Sequence, residues 1–285
     1  MQPHPLPTPP SSSPPKAFVR QPRSRITSLD HFLSIAQTAR TSRGRASVLF
    51  DSIQPAEVYD LLAAREAELE RLHIRVFYNS RHSVVQFAEM PTTIHNVSVG
   101  WMAIVSKKMV KAGFVLERHL VSSGETSSEG SGDEDQLQGE RKNFLITTAD
   151  YELSDFDSGW NDAVISPDYV IIDSSCSTPS LCIEVGCSQT YARNTTHTGL
   201  LDRVDMLLRG TSGRIRAVIV VNIDEDQSKL EFHERFSGFL ELWRYRNVVG
   251  EVYRDGHRVT LFDPNGGIKV VQKDVYGEAE EDERR

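Results

Sequence analysis

Cysteine is scarce in this chain. Three residues, Cys176, Cys182 and Cys187, occur among 285. That number is odd and too small for a disulfide framework, and no CxxC or His/Cys spacing of a zinc site is present. Free thiols in a reducing compartment are the expectation. No stretch approaches the roughly 20 apolar residues of a membrane span, so no membrane partner is expected. The opening segment MQPHPLPTPPSSSPPKAFVR lacks the short apolar core of a secretory signal. The expected address is intracellular, cytoplasm or nucleus, and not secreted.

A basic body is also lacking. The net charge is −8, but it is unevenly laid out. Residues 1–50 hold seven Lys/Arg against one acid, 125–140 hold six acids and no base, and 274–285 hold six acids against two Arg. With those three segments set aside the body carries −4. Dedicated duplex binders show the opposite sign, because phosphate neutralisation supplies most of their affinity. The composition therefore argues against tight, general nucleic-acid binding, while leaving room for a local basic groove.

What is present is the pattern of one α/β domain with charged arms. Residues 1–47 form a Pro/Ser-rich basic segment with too little apolar surface to order itself, and 48–272 read as a single α/β domain. An acidic, disordered insertion is expected at 122–141 and an acidic, disordered tail at 273–285. Pro55 to Leu72 has proline in its first turn and an apolar stripe at Val58, Leu61, Leu62, Leu69 and Leu72, which predicts a helix. Two alternating runs on either side of Ser80-Arg81-His82 predict a β-hairpin. A helix is expected over Thr93 to Ala112, where Lys107, Lys108 and Lys111 read as a solvated face. Strands are expected at Phe114 to Val121, Phe144 to Tyr151, Tyr169 to Ile172, Leu181 to Val185 and Arg216 to Asn222, with a helix over Thr198 to Leu208. The run RAVIVVN is apolar almost throughout, as a central strand buried on both faces requires. Two or three further amphipathic strands follow between Phe236 and Phe262.

The chemistry concentrates between Ser166 and Asn222. Asp168 opens one strand and Glu184 closes the next, and the turn between them is centred near Cys176. Antiparallel pairing about that centre puts position 168 opposite 184 or 185. Side chains directly across a ladder have Cβ atoms roughly 4.5–5.5 Å apart. Two like charges that close call for a cation or a shared proton. A hard divalent ion such as Mg²⁺ or Mn²⁺, held by one or two carboxylates with water and phosphate oxygens, answers that need. It would also activate water for phosphodiester cleavage.

The run SPDYVIID…SLCIEVGCSQT…LLDRVDMLL…RAVIVVN resembles the PD-(D/E)XK, or restriction-endonuclease-like, superfamily. Pro167-Asp168 stands where that family has its PD, and Glu184 where it has the acid of (D/E)XK. Upstream, Glu89 to Met109 looks like the P…H approach to a helix in a large bacterial group of endonucleases of this fold. Glu-Val-Gly-x-Ser in place of Glu-x-Lys is similar to poorly characterised fungal relatives. The resemblance spans about Gln54 to Asn222. It implies a mixed central β-sheet flanked by helices, here extended by C-terminal antiparallel strands, and a metal-dependent nuclease with Asp168 and Glu184 on the metal.

One departure bears on activity: Gly186 replaces the lysine that, in active members, orients water and stabilises negative charge. Arg203 on the following helix is the residue best placed to stand in. Gln189 can orient a water without bringing charge, and Arg193 and His197 lie nearer the helix start. Arginine holds phosphate well but is a poor proton shuttle. Glu57, Glu66 and Glu70 are the upstream acids available to complete a metal site. The structural alternative has Asp168 capping a turn after Pro167 and Glu184 paired with Arg203. Two functions are therefore carried forward. One is a PD-(D/E)XK-like, divalent-metal-dependent nuclease with a degenerate motif, acting on nucleic acid. The other is a catalytically inactive interaction or scaffold domain on the same fold, contacting protein partners through its disordered arms. An unrelated metal-dependent hydrolase is a third.

Overall fold

The computed structural model describes residues 19–21, 47–72, 74–89, 120–122, 145–148, 151–157, 159–173, 176–187, 191, 197–226, 228–229, 231–261, 266–271, 274–275 and seven helical residues between 100 and 111. Most of the N-terminal segment, the acidic insertion past Ser122 and residues 276–285 lie outside them.

The chain is mixed α/β. Its strands, in order, are β1 (Val19–Gln21), β2 (Ser47–Asp51), β3 (Ile74–Asn79), β4 (Val84–Glu89), β5 (Leu120–Ser122), β6 (Leu145–Thr148), β7 (Val164–Ile165), β8 (Tyr169–Asp173), β9 (Leu181–Cys187), β10 (Ala217–Glu225), β11 (Phe236–Arg246) and β12 (Glu251–Thr260). The helices are α1 (Pro55–Arg71), α2 (Leu200–Gly210) and the single turn α3 (Phe232–Arg235). Among the described residues no helix is long and apolar enough to cross a membrane.

One central sheet was expected, and the described residues form two. The first has order β1-β2-β4-β3-β7 and the second β12-β11-β10-β9-β8-β6-β5. The outer face of the β3–β4 hairpin, in the smaller sheet, is covered by α1. Val58 and Leu69 of α1, with Leu72 capping its end, pack there with Ile74, Val76, Val85 and Phe87. Helix α1 begins where Pro55 occupies the first turn and the Glu57 carboxylate accepts the Gln54 N–H at 2.9 Å.

In the larger sheet the two-residue period sorts the side chains. Leu181, Ile183, Ala217, Ile219 and Val221 face one core, on which Trp101, Val105 and Met109 also pack at helical spacing. Cys182, Val218 and Val220 face the other, beneath Leu200, Val204, Leu207 and Leu208 of α2. Strands β9 and β10 are parallel and are joined through α2. Strands β11 and β12 extend the sheet as an antiparallel pair. Asp274 and Val275, expected to begin the tail, are 1% and 0% exposed. The Arg244 guanidinium holds Asp274, and the Ser180 hydroxyl donates to the Val275 carbonyl at 2.7 Å.

Candidate functional site

Strands β8 and β9 pair antiparallel with Tyr169 opposite Ile183 and Val170 opposite Cys182. One step further along this register Asp168 faces Glu184. Both residues share the parity of Cys182 and therefore lie on the face that α2 covers. Arg203 comes down from the first turn of α2 to meet them. Asp168, Glu184 and Arg203 are thus brought together, all of them buried.

Their bonding separates the two acids. The Arg75 guanidinium donates to Asp168 Oδ1 at 2.7 Å and to the Ser166 carbonyl at 3.1 Å. The Val185 N–H donates to Asp168 Oδ2 at 2.6 Å. Both oxygens of Asp168 are engaged by the protein itself. Glu184 is 0% exposed, and its Oε2 lies 3.5 Å from Arg203 Nη1, at the limit of a hydrogen bond. Its Oε1 has no partner among the described residues. Burial pushes the Glu184 carboxyl up to about 7; the Arg203 charge works against this, and the nearby Asp168 carboxylate reinforces it. Burial, with Glu184 second, also pushes the Cys182 thiol well up, which makes it an inert core group.

Arg203 is shared. Its Nη2 lies 3.4 Å from Gln86 Oε1, and its guanidinium sits 4.9 Å above the Phe77 ring. Arg75, Phe77 and Gln86 all come from the inner face of the β3–β4 hairpin, where Phe77 pairs with Gln86. Arg75 and Gln86 were absent from the residues singled out in the sequence. A signal existed: Gln86 interrupts the apolar run VVQFA, and a polar residue at a core position needs a buried partner.

The proposed upstream acids do not reach the site. Glu57 caps α1, and Glu66 and Glu70 are exposed on the same helix. Gln189 and Arg193 lie outside the described residues. His197 stacks on His82, with ring centroids 3.6 Å apart and planes 5° from parallel. Gly186 sits in regular pairing with Asn222. A Cβ there would come 2.8 Å from Leu200 Cδ2 and 3.3 Å from Asn222 Oδ1. Close approach of α2, not a turn, is what glycine permits.

A hard divalent ion needs several oxygen ligands at roughly 2.0–2.6 Å. Here each Asp168 oxygen accepts one bond, from Arg75 or from the Val185 N–H, and each acid already faces a guanidinium. Among the described residues no group of three or more metal-ligating side chains converges. Among the described residues Asp168 and Glu184 alone would have to hold Mg²⁺ or Mn²⁺, with the Arg75 and Arg203 guanidiniums beside them repelling the ion. The arrangement fits a buried tie between the two sheets, the Arg75–Asp168 ion pair beside a looser Arg203–Glu184 contact. Compared with known protein families, curated proteins and solved structures, the chain matches none of them.

Proposed function

We propose that this chain is a non-catalytic interaction domain with a restriction-endonuclease-like core, in which Asp168 and Glu184 tie the fold together instead of holding a metal. The observation that carries this is the occupation of both Asp168 oxygens, by Arg75 at 2.7 Å and the Val185 N–H at 2.6 Å. Each oxygen keeps a further lone pair, but Arg75 already supplies the positive charge that a metal ion would bring, and a cation placed beside it is repelled. Gly186 agrees with it, since the position of the family lysine is filled by Leu200. In this reading the basic segment 1–47 and the acidic segments 122–141 and 273–285 supply contacts to protein partners.

One observation favours the nuclease: Glu184 Oε1 has no partner, opposite a second carboxylate. That reading requires Arg75 to release Asp168, with Arg203 or Gln189 replacing the lysine. Calorimetry with Mn²⁺ and cleavage assays on single- and double-stranded DNA and RNA test both, beside the shape-preserving Asp168→Asn/Glu184→Gln protein. The expected result is no heat that depends on Glu184, and equal background cleavage in the two proteins. Metal-dependent cleavage lost in the double variant would overturn the proposal.

A further inference from the structure

A second buried carboxylate lies in the same row of the sheet. Val220 of β10 pairs with Glu184 on one side and with Glu241 of β11 on the other. Glu241 is 0% exposed, yet every oxygen is served. Arg254 Nη1 at 2.8 Å and Arg258 Nε at 2.9 Å donate to Oε1. The Tyr191 hydroxyl and the Trp243 indole N–H, the latter at 3.0 Å, donate to Oε2. Burial works against ionisation, but the bonds from Tyr191, Arg254, Arg258 and Trp243 outweigh it and hold this carboxyl below its usual range. Glu241 is therefore a fixed anion.

The backbone is shaped to bring the two arginines together. Four residues apart on a regular strand would separate them by roughly 13 Å. Here Leu240 pairs with Val259 and Leu242 with Asp255, so two steps of β11 oppose four of β12. This bulge, which includes Gly256 at φ +79°, gathers Arg254 and Arg258 onto one carboxylate oxygen. Bulges of this kind re-aim side chains. Arg258 is also held flat, 3.6 Å from the Phe239 ring centroid and 4.9 Å from that of Tyr191.

Two cations on one anion leave one positive charge over. Among the described residues Glu241 is the carboxylate that both guanidiniums meet, while the neighbouring acids Asp255 and Glu251 pair with Arg244 and Arg246. The side chains of Arg254 and Arg258 are each 42% exposed, so both guanidiniums reach solvent, although Arg258 also bonds Tyr191. A guanidinium fork matches the oxygens of phosphate or carboxylate. One fork suffices for a planar carboxylate. Two guanidiniums side by side offer more donors and charge than one carboxylate uses, and suit the several oxygens and higher charge of a phosphoryl group.

We propose that Arg254 and Arg258 form a binding site for a phosphate-class oxyanion, with Glu241 as the positioning residue that aims them. The assignment does not rest on the reading of Asp168 and Glu184. The test is calorimetry of the full chain at low ionic strength with inorganic phosphate, against acetate at equal ionic strength. Saturable phosphate binding is expected, weakened about tenfold or more by Arg254→Gln and by Arg254→Gln/Arg258→Gln, as loss of charge-assisted bonds implies. Arg246→Gln, on the same hairpin, should leave it unchanged. Phosphoserine and adenosine monophosphate distinguish a phosphopeptide from a nucleotide source by which one exceeds inorganic phosphate. Should the double variant not fold, the single variant retains three donors on Glu241, and a phosphate-dependent shift of the Trp243 indole N–H resonance reads the native protein. No saturable binding, equal binding of acetate, or binding indifferent to Arg254→Gln would overturn the assignment.

Discussion

Glu184 and Glu241 flank Val220 in one row of one sheet and are equally sealed from solvent, yet they are held in opposite states. Glu184 has one contact at 3.5 Å and an oxygen with no partner among the described residues, and its carboxyl rises to about 7. Glu241 accepts from four donors and stays ionised. Burial disfavours the charged form in both. Donor supply, together with the Asp168 charge beside Glu184, reverses the outcome. The comparison also separates two kinds of site: a closed tie between sheets, and an organised pair of cations that still faces water.

The largest expected effect breaks the better-satisfied side. Glu241→Ala leaves two guanidiniums, a phenol and an indole without their common acceptor. Removing one partner of a buried ion pair costs roughly 3–5 kcal/mol. The value here should fall near about 3 kcal/mol, because half-exposed Arg254 and Arg258 can turn to water. Urea unfolding measures it, and a loss below about 1 kcal/mol would mean that the four bonds contribute little net stability.

Glu184 gives a pH signature that Glu241 does not. Its carboxyl is raised from an ordinary 4.5 to about 7, so between those values the folded protein holds a proton that the unfolded chain has released. Stability from this group is fully present below about 4.5, falls as pH rises through the window, and is lost above about 7. The expected slope is roughly 1 kcal/mol per pH unit. Glu184→Gln should flatten it. Denaturant midpoints at pH 5 and pH 7.5 decide the matter: an unchanged slope in the variant assigns it to another group.

Asp168→Ala should cost somewhat less, about 2 kcal/mol, since it removes the carboxylate to which both Arg75 and the Val185 N–H donate, while Arg75 keeps the Ser166 carbonyl. Asp168→Asn keeps an acceptor for Val185 and should lose about half as much. If Asn and Ala are equally destabilising, the ion pair with Arg75 carries the whole effect and the backbone bond none.

Local patterns made much of this architecture legible. The stripe of α1, the alternation of the β3–β4 hairpin and the unbroken apolar run of β10 each carry their own period, and each forms where expected. The facing of Asp168 and Glu184 was also readable, because a hairpin register follows from where its turn is centred. What stayed hidden depends on packing between distant segments. Arg75 and Gln86 reach the site from a hairpin some ninety positions upstream, and no local period announces that meeting. Glu241 alternates like any polar residue on a solvated face, and only the bulge opposite it, together with Tyr191 from another segment, turns it into a buried anchor.

Gly186 yields the smallest effect and the sharpest sign. Alanine in a strand normally helps by about 0.5–1 kcal/mol, because glycine loses more backbone freedom on folding. Here its Cβ would lie 2.8 Å from Leu200 Cδ2, and Leu200 is itself 0% exposed at the start of α2. Overpacking of a filled core costs roughly 1–3 kcal/mol, so Gly186→Ala should destabilise by about 1 kcal/mol net. The sign depends on Leu200. In a Leu200→Ala background, itself costly, the methyl has room and Gly186→Ala should become neutral or stabilising. Chemical denaturation of the four proteins of this double-mutant cycle measures the coupling. If Gly186→Ala destabilises equally in both backgrounds, Leu200 is not what fills the position. If the sign reverses, the place where the resembling family carries its lysine is occupied by core packing, and a long cation there would have to displace the start of α2.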